Sequence, residues 1–334
     1  MKIGVLGAGS WGTALAILLG NKGYDVDLWS AVESELEILS TKREHIERLP
    51  GVKLPDTISI ERSMEKTCKD KDLIVFAVAS PYVRVTAKNA KNFIKDGQII
   101  VNVAKGIEDI TYNTLSMVIE DEIPQAVVTV LSGPSHAEEV SRNIPTTCVV
   151  GAKKEEVALY VQDIFMCDNF RVYTSPDIMG IEIGASLKNV IALAAGIVDG
   201  LGYGDNTKAA LITRGIAEIS RLGIKMGGKL ETFMGLSGIG DLIVTCTSNH
   251  SRNHNAGYYM GQGMSYEDAM KEVKQVVEGV YSAKAAKGLA EKYEVSMPIV
   301  EQINKVLFEN KSAADALKEL LTRGKSAEYK TLEW

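Results

Sequence analysis

The chain has 334 residues, 46% of them hydrophobic and 24% charged, the composition of a soluble globular protein too long for one ordinary core, so two domains are expected. A net charge of −6 argues against nucleic acid or an anionic membrane as the main partner, so an anionic small molecule would have to be held by a local cluster of positive side chains. Cys68, Cys148, Cys167 and Cys246 form no Cys-x-x-Cys pair and the histidines show no ligand spacing, which points to reduced thiols in the cytoplasm and away from a zinc site.

The first apolar segment, residues 3–6, reads as a strand. It runs into Gly7-Ala8-Gly9-Ser10-Trp11-Gly12 and then the apolar helix start Thr13-Ala14-Leu15-Ala16. A Gly-x-Gly-x-x-Gly between strand and helix points to dinucleotide binding. Gly7 makes the tight turn, Gly9 lets backbone approach a pyrophosphate, and Gly12 brings helix and strand together. The helix N-terminus then offers unpaired N–H groups to the anion. Lys2 and the apolar stretch imitate a secretory leader, but Gly4, Gly7, Gly9 and Gly12 interrupt it. No later apolar run reads as long enough to cross a bilayer.

Residues 24–29 alternate as a second strand. Residues 73–78, 99–103 and 126–131 are apolar runs, with 146–150 and 170–173 as later strands. Apolar strands separated by helices predict a doubly wound, mostly parallel α/β sheet of the Rossmann type. The polar, proline-containing segment 173–177 marks a boundary. It divides the chain into a dinucleotide-binding domain, 1–177, and an all-α substrate and catalytic domain, 178–334. Helices are expected over 187–198, 209–222, 266–271, 282–293 and 313–322, the last with Ser312 as N-cap.

In a doubly wound sheet, ligands sit beyond the carboxyl ends of the strands. Lys105, in Ala104-Lys105-Gly106, stands at such an end, as does the loop Ser132-Gly133-Pro134-Ser135-His136-Ala137. Lys105 reads as an anion or carbonyl contact, with a solvated loop lysine as the plain alternative. In the second half, Lys188 and Asn189 interrupt a helix of small apolar residues. Burying a lysine costs several kcal/mol unless it is compensated. A lowered pKa relieves that cost and suits general acid–base work; an exposed helical stripe is the alternative. The glycine-rich loop 199–204 leads into a helix with Asp205 or Asn206 near its cap, for which a structural role suffices. Ser251-Arg252-Asn253 joins a guanidinium fork to small hydrogen-bonding groups, a set suited to a phosphate dianion or, more plainly, to a solvated surface.

Over nearly its whole length the chain resembles the bacterial-type NAD(P)-dependent glycerol-3-phosphate dehydrogenase family. The resemblance rests on the glycine motif with Thr13, on Ala104 to Glu108, Ser132 to Ser135, Leu187 to Val190, Gly204 to Lys208, Gly240-Asp241-Leu242 and Ser251 to Asn253. It implies reduction of dihydroxyacetone phosphate to sn-glycerol 3-phosphate, reversibly, with NADP or NAD as cofactor. The product would feed phospholipid synthesis, and the enzyme would be a homodimer. It implies Lys188 as the catalytic lysine exchanging a proton with the C2 oxygen. Lys105, Gly133, Ser135, Asn189, Asp241, Thr245, Ser251, Arg252 and Asn253 would contact substrate. Gly7, Gly9, Ser10, Trp11, Gly12, Lys105, Ala137, Arg252 and Glu278 would contact cofactor. Burial, Lys105 and Arg252 would depress the Lys188 pKa while Asp241 opposes them, a balance the sequence leaves open.

Two departures stand out. After Trp29 the chain reads Ser30-Ala31-Val32-Glu33, without the acid or arginine that selects between NAD and NADP at this turn. Arg48 replaces the family's usual aromatic residue before Leu-Pro-Gly. The rival readings are another two-domain reductase of the hydroxyacid or ketopantoate type, and a dinucleotide sensor without turnover.

Overall fold

The computed structural model describes residues 1–328. Eight strands, β1 (Lys2–Leu6), β2 (Asp25–Trp29), β3 (Ile58–Glu61), β4 (Leu73–Phe76), β5 (Ile99–Asn102), β6 (Val127–Ser132), β7 (Thr146–Gly151) and β8 (Phe170–Ser175), form one sheet. Its order is β3-β2-β1-β4-β5-β6-β7-β8. Every neighbouring pair is parallel except β6 with β7. Helices and loops cover both faces, which is why β4 reads as the continuous apolar run Leu73-Ile74-Val75-Phe76, fully buried. One face packs Ile3, Val5, Leu15 and Leu28; the other packs Leu6, Phe76, Ile100 and Ile119.

β3 is an addition to the expected strands. It is a four-residue edge strand, Ile-Ser-Ile-Glu, held only by β2, and too short to announce itself by pattern. The strand order reverses at β1, whose neighbours are β2 and β4. That reversal opens the crevice in which doubly wound sheets bind ligands, and the glycine turn lies at its mouth.

Beyond Ser175 no strand occurs among the described residues, and 329–334 of the expected all-α segment lie outside them. The Asp177 carboxylate accepts from Gly180 N at 2.9 Å and starts the helix Ile178–Gly200, the core of the helical half. This helix begins nine residues before the expected 187, because Glu182 and Ser186 break the apolar period for tertiary reasons. Glu182 accepts from Ser116 N at 2.9 Å, and Ser186 Oγ donates to Gly106 O at 2.9 Å. Both contacts tie the helix to the sheet-bearing half. By length and composition the full helix could cross a membrane, contrary to the expectation that no run is long enough, yet its apolar window is wholly buried inside the fold.

Helix Arg252–Gly261 crosses this core helix at glycine contacts. A Cβ on Gly257 would stand 2.1 Å from Leu193 O, and one on Gly196 would stand 1.9 Å from His254 O. Two backbones approach that closely only where no side chain intervenes. Helix Asp205–Lys225 starts behind Gly204 without a side-chain cap. Ser312 does cap Ala313–Leu321, accepting from Asp315 N at 3.0 Å. Helices Arg252–Gly261 and Pro298–Phe308 are additions to the expected ones. The four cysteines are all unpaired.

Candidate active site

At the glycine turn, each glycine does something different. Gly7 adopts φ +118°, and a Cβ there would lie 2.7 Å from the Ala77 carbonyl. A Cβ on Gly12 would lie 1.9 Å from Gly7 O. Gly9 is open: its missing Cβ would meet only Arg48 Nη1, at 3.8 Å. Gly9 is also the N-cap of helix α1 (Ser10–Asn21), with no side chain bonding the free N–H groups and no acid in the first turn. Ser10 and Trp11 are half-buried at that end, and Trp11 Nε1 is buried without a partner. The residues present therefore fit a dinucleotide: an uncapped helix N-terminus, a cradle that a side chain on Gly9 would fill, and no acid in the helix's first turn to repel a pyrophosphate.

The second cluster lies beyond β5 and β6. Lys188, on the core helix, is 6% exposed. Its Nζ lies 2.8 Å from Asp241 Oδ1 and donates to Thr245 Oγ1 at 2.5 Å. The other Asp241 oxygen takes Lys105 Nζ at 2.6 Å, and Lys105 also donates to Gly133 O at 3.0 Å. Ser135 Oγ donates to the same carbonyl at 3.0 Å. One buried carboxylate thus holds two ammonium groups, a lysine from each half of the chain. Burial lowers the Lys188 pKa to about 8; Asp241 pulls upward and Lys105 downward, but burial prevails. Burial presses the Asp241 carboxyl upward, yet the two ammonium groups outweigh it and hold it below its ordinary range.

A third group begins at Asn189, next to Lys188 in the core helix. Asn253 Nδ2 donates to Asn189 Oδ1 at 3.0 Å, and Asn253 Oδ1 accepts from Gly279 N at 2.8 Å. Ser251 is the N-cap of its helix, accepting from His254 N at 3.2 Å. Arg252 is exposed and donates to Val276 O at 3.2 Å, so it does not join the lysine cluster. Glu278 is buried and accepts from both the N–H, at 3.0 Å, and the hydroxyl of Ser80. Its Oε2 lies 3.6 Å from where a Cβ on Gly106 would stand, next to Lys105. Ala137 is buried and opens a short helix packed against α1.

Residues outside the expected site set also lie here, Ser80 and Glu35 among them unmarked by any motif. Ser80, just beyond β4, is the sheet-side partner of Glu278; a polar residue directly after an apolar strand was the available signal. His136 has a buried, unpartnered Nε2. Burial, then the Lys188 charge, push its pKa down to about 4, so the ring is neutral. Ser30, Glu35 and Arg48 are linked at the end of β2. Glu33, nearer in sequence, instead faces solvent and pairs with Arg62.

The comparisons agree with this architecture. The family domain described as NAD-dependent glycerol-3-phosphate dehydrogenase N-terminus matches residues 2–158, and its C-terminal counterpart matches 177–318. A protein of Agathobacter rectalis named glycerol-3-phosphate dehydrogenase [NAD(P)+] is 61% identical over 333 residues, covering 100% of this chain and 99% of its own. One of the same name from Fusobacterium nucleatum is 56% identical, covering 99% of each. The crystal structure of glycerol-3-phosphate dehydrogenase from Coxiella burnetii superimposes with a TM-score of 0.94 at 35% identity, covering 96% of this chain and 99% of that one.

Proposed function

Because the chain belongs to the NAD-dependent glycerol-3-phosphate dehydrogenase family, we propose that it reversibly reduces dihydroxyacetone phosphate to sn-glycerol 3-phosphate with NADPH or NADH. The observation that carries this reading is Asp241 holding Lys188 and Lys105 together in a buried site, with the Lys188 pKa brought down to about 8. A lysine so placed is protonated at neutral pH, can give its proton to a developing alkoxide, and can take one back in the oxidation.

The nicotinamide supplies the hydride that reduces the C2 carbonyl. The chain supplies position and charge. Lys188 serves as the general acid at the C2 oxygen, and Thr245 and Asp241 hold its ammonium group in place. Lys105, with Gly133 and Ser135, lines the same side and adds positive charge where negative charge develops. Asn189, Ser251 and Asn253 form the seat for the phosphate end. Arg252, between Ser251 and Asn253 in the chain, would give it a forked donor, turning remote binding energy into orientation of the carbonyl. Gly7, Gly9, Ser10, Trp11 and Gly12 hold the pyrophosphate half of the cofactor, with Ala137, Lys105, Arg252 and Glu278 along its path.

In this reading, residues 1–177 form the nucleotide unit and 178–334 the substrate unit. The enzyme is a cytoplasmic homodimer whose product supplies phospholipid synthesis. The test is purified protein mixed with dihydroxyacetone phosphate, with loss of reduced nicotinamide absorbance followed for NADPH and NADH separately. Turnover with either is expected. Tight dinucleotide binding with no turnover would overturn the enzyme reading in favour of a sensor.

A further inference from the structure

The turn after β2 lacks an acid or arginine in sequence, yet the fold delivers both to it. β2 ends at Trp29 beside the glycine turn, with Gly7 N donating to Trp29 O at 2.8 Å. Ser30 follows at once and is buried. Its hydroxyl donates to Glu35 Oε2 at 2.6 Å while accepting from Val32 N at 3.1 Å. Glu35 lies in the first turn of helix Glu33–Lys42 and is 8% exposed. Its other oxygen pairs with Arg48 Nη2 at 2.5 Å. The second Arg48 nitrogen, Nη1, is the atom facing the open space over Gly9. His45 is buried alongside; burial and then Arg48 lower its pKa, so it adds no charge at neutral pH.

Doubly wound sheets place the adenosine ribose beyond the second strand, where an acid accepts the 2′-hydroxyl of NAD and an arginine meets the 2′-phosphate of NADP. Here one of each is present, and they are bonded to each other. We propose that the Glu35–Arg48 pair is the cofactor-discriminating element of this chain, resting on the reading of the glycine turn as a dinucleotide site. Arg48 provides the charge-assisted donors for a 2′-phosphate. Glu35 limits that attraction by neutralising the guanidinium and stands as acceptor for a ribose hydroxyl. The pair holds the site open to both cofactors, with Ser30 fixing the carboxylate at the strand end.

The test is calorimetric titration of NADH and NADPH into the full-length wild type, Arg48→Met and Glu35→Gln, each first checked for an unchanged thermal melt. Arg48→Met should weaken NADPH about 10-fold, the scale of one charge-assisted hydrogen bond, and change NADH by less than about 3-fold. Glu35→Gln should move the NADPH to NADH affinity ratio the opposite way, by about 3- to 10-fold. If both variants shift the two cofactors by the same factor, or neither shifts either, the discriminating role is overturned and the pair only braces the turn. If the wild type binds neither dinucleotide, the nucleotide site itself is refuted, an outcome distinct from failed discrimination.

Discussion

In the proposed reaction, Lys188 is the residue on which the chemistry turns. Sequence placed a lysine inside an apolar helix and left its charge state undecided; the fold decides it by burying the group while giving it one shared carboxylate. Reduction needs the protonated lysine, so its rate should be level below pH 8 and fall as pH rises through about 8, while oxidation rises through the same value. Rate profiles in both directions check this. Lys105→Met removes a like charge and leaves Asp241 to Lys188 alone, so the limb should move to higher pH. Lys188→Ala should lower kcat by about 10²- to 10⁴-fold with dinucleotide affinity kept; a loss of binding instead would mark Lys188 as structural. His136, held neutral down to about 4, should add no inflection near the ordinary histidine range.

At the scale of elements, the glycine crossing of Ile178–Gly200 and Arg252–Gly261 positions Asn253 against Asn189. Gly257→Ala inserts a methyl against the Leu193 carbonyl. It should cost about 1–3 kcal/mol, as overpacked sites do, and should raise KM for the phosphate substrate more than it lowers kcat. Ser312→Ala removes a cap remote from the site. It should cost about 1 kcal/mol and leave the kinetics unchanged. Thermal melts and steady-state kinetics on the two variants separate packing at the site from stability in general. Ser312 was legible because capping is a local rule. The early start of the core helix was not, since Glu182 finds its partner Ser116 across 66 positions of sequence.

At the scale of the whole molecule, buried acids join elements that sequence leaves far apart. Glu218, on helix Asp205–Lys225, accepts from Ile299 N at 3.0 Å and from Val300 N at 3.4 Å. It thereby caps Pro298–Phe308. Burial raises its pKa from 4.5 to about 7, the two backbone donors opposing. The folded chain then holds a proton that the unfolded chain has lost, so this group stabilises fully at low pH and loses that contribution as pH climbs to about 7. The loss is on the order of 3 kcal/mol. Glu218→Gln should flatten the pH dependence of chemical unfolding between pH 4.5 and about 7; an unchanged slope would show that Glu218 is already ionised.

Features that depend on local chemistry were legible in the sequence. The glycine spacing, the apolar strands of a parallel sheet, the change to helical periodicity after 177 and the Ser312 cap follow from turn geometry and from the periods of strand and helix. The family resemblance added the identity of the lysine, aspartate and asparagine groups. Features that depend on distance and burial came from the fold. It set the edge strand β3, the full length of the core helix and the meeting of Lys105 with Lys188 on Asp241 across 136 and 53 positions of sequence. It also returned Glu35 and Arg48 to the end of β2. A pKa, an ion pair and a strand order are properties of neighbours in space, and only the fold chooses those neighbours.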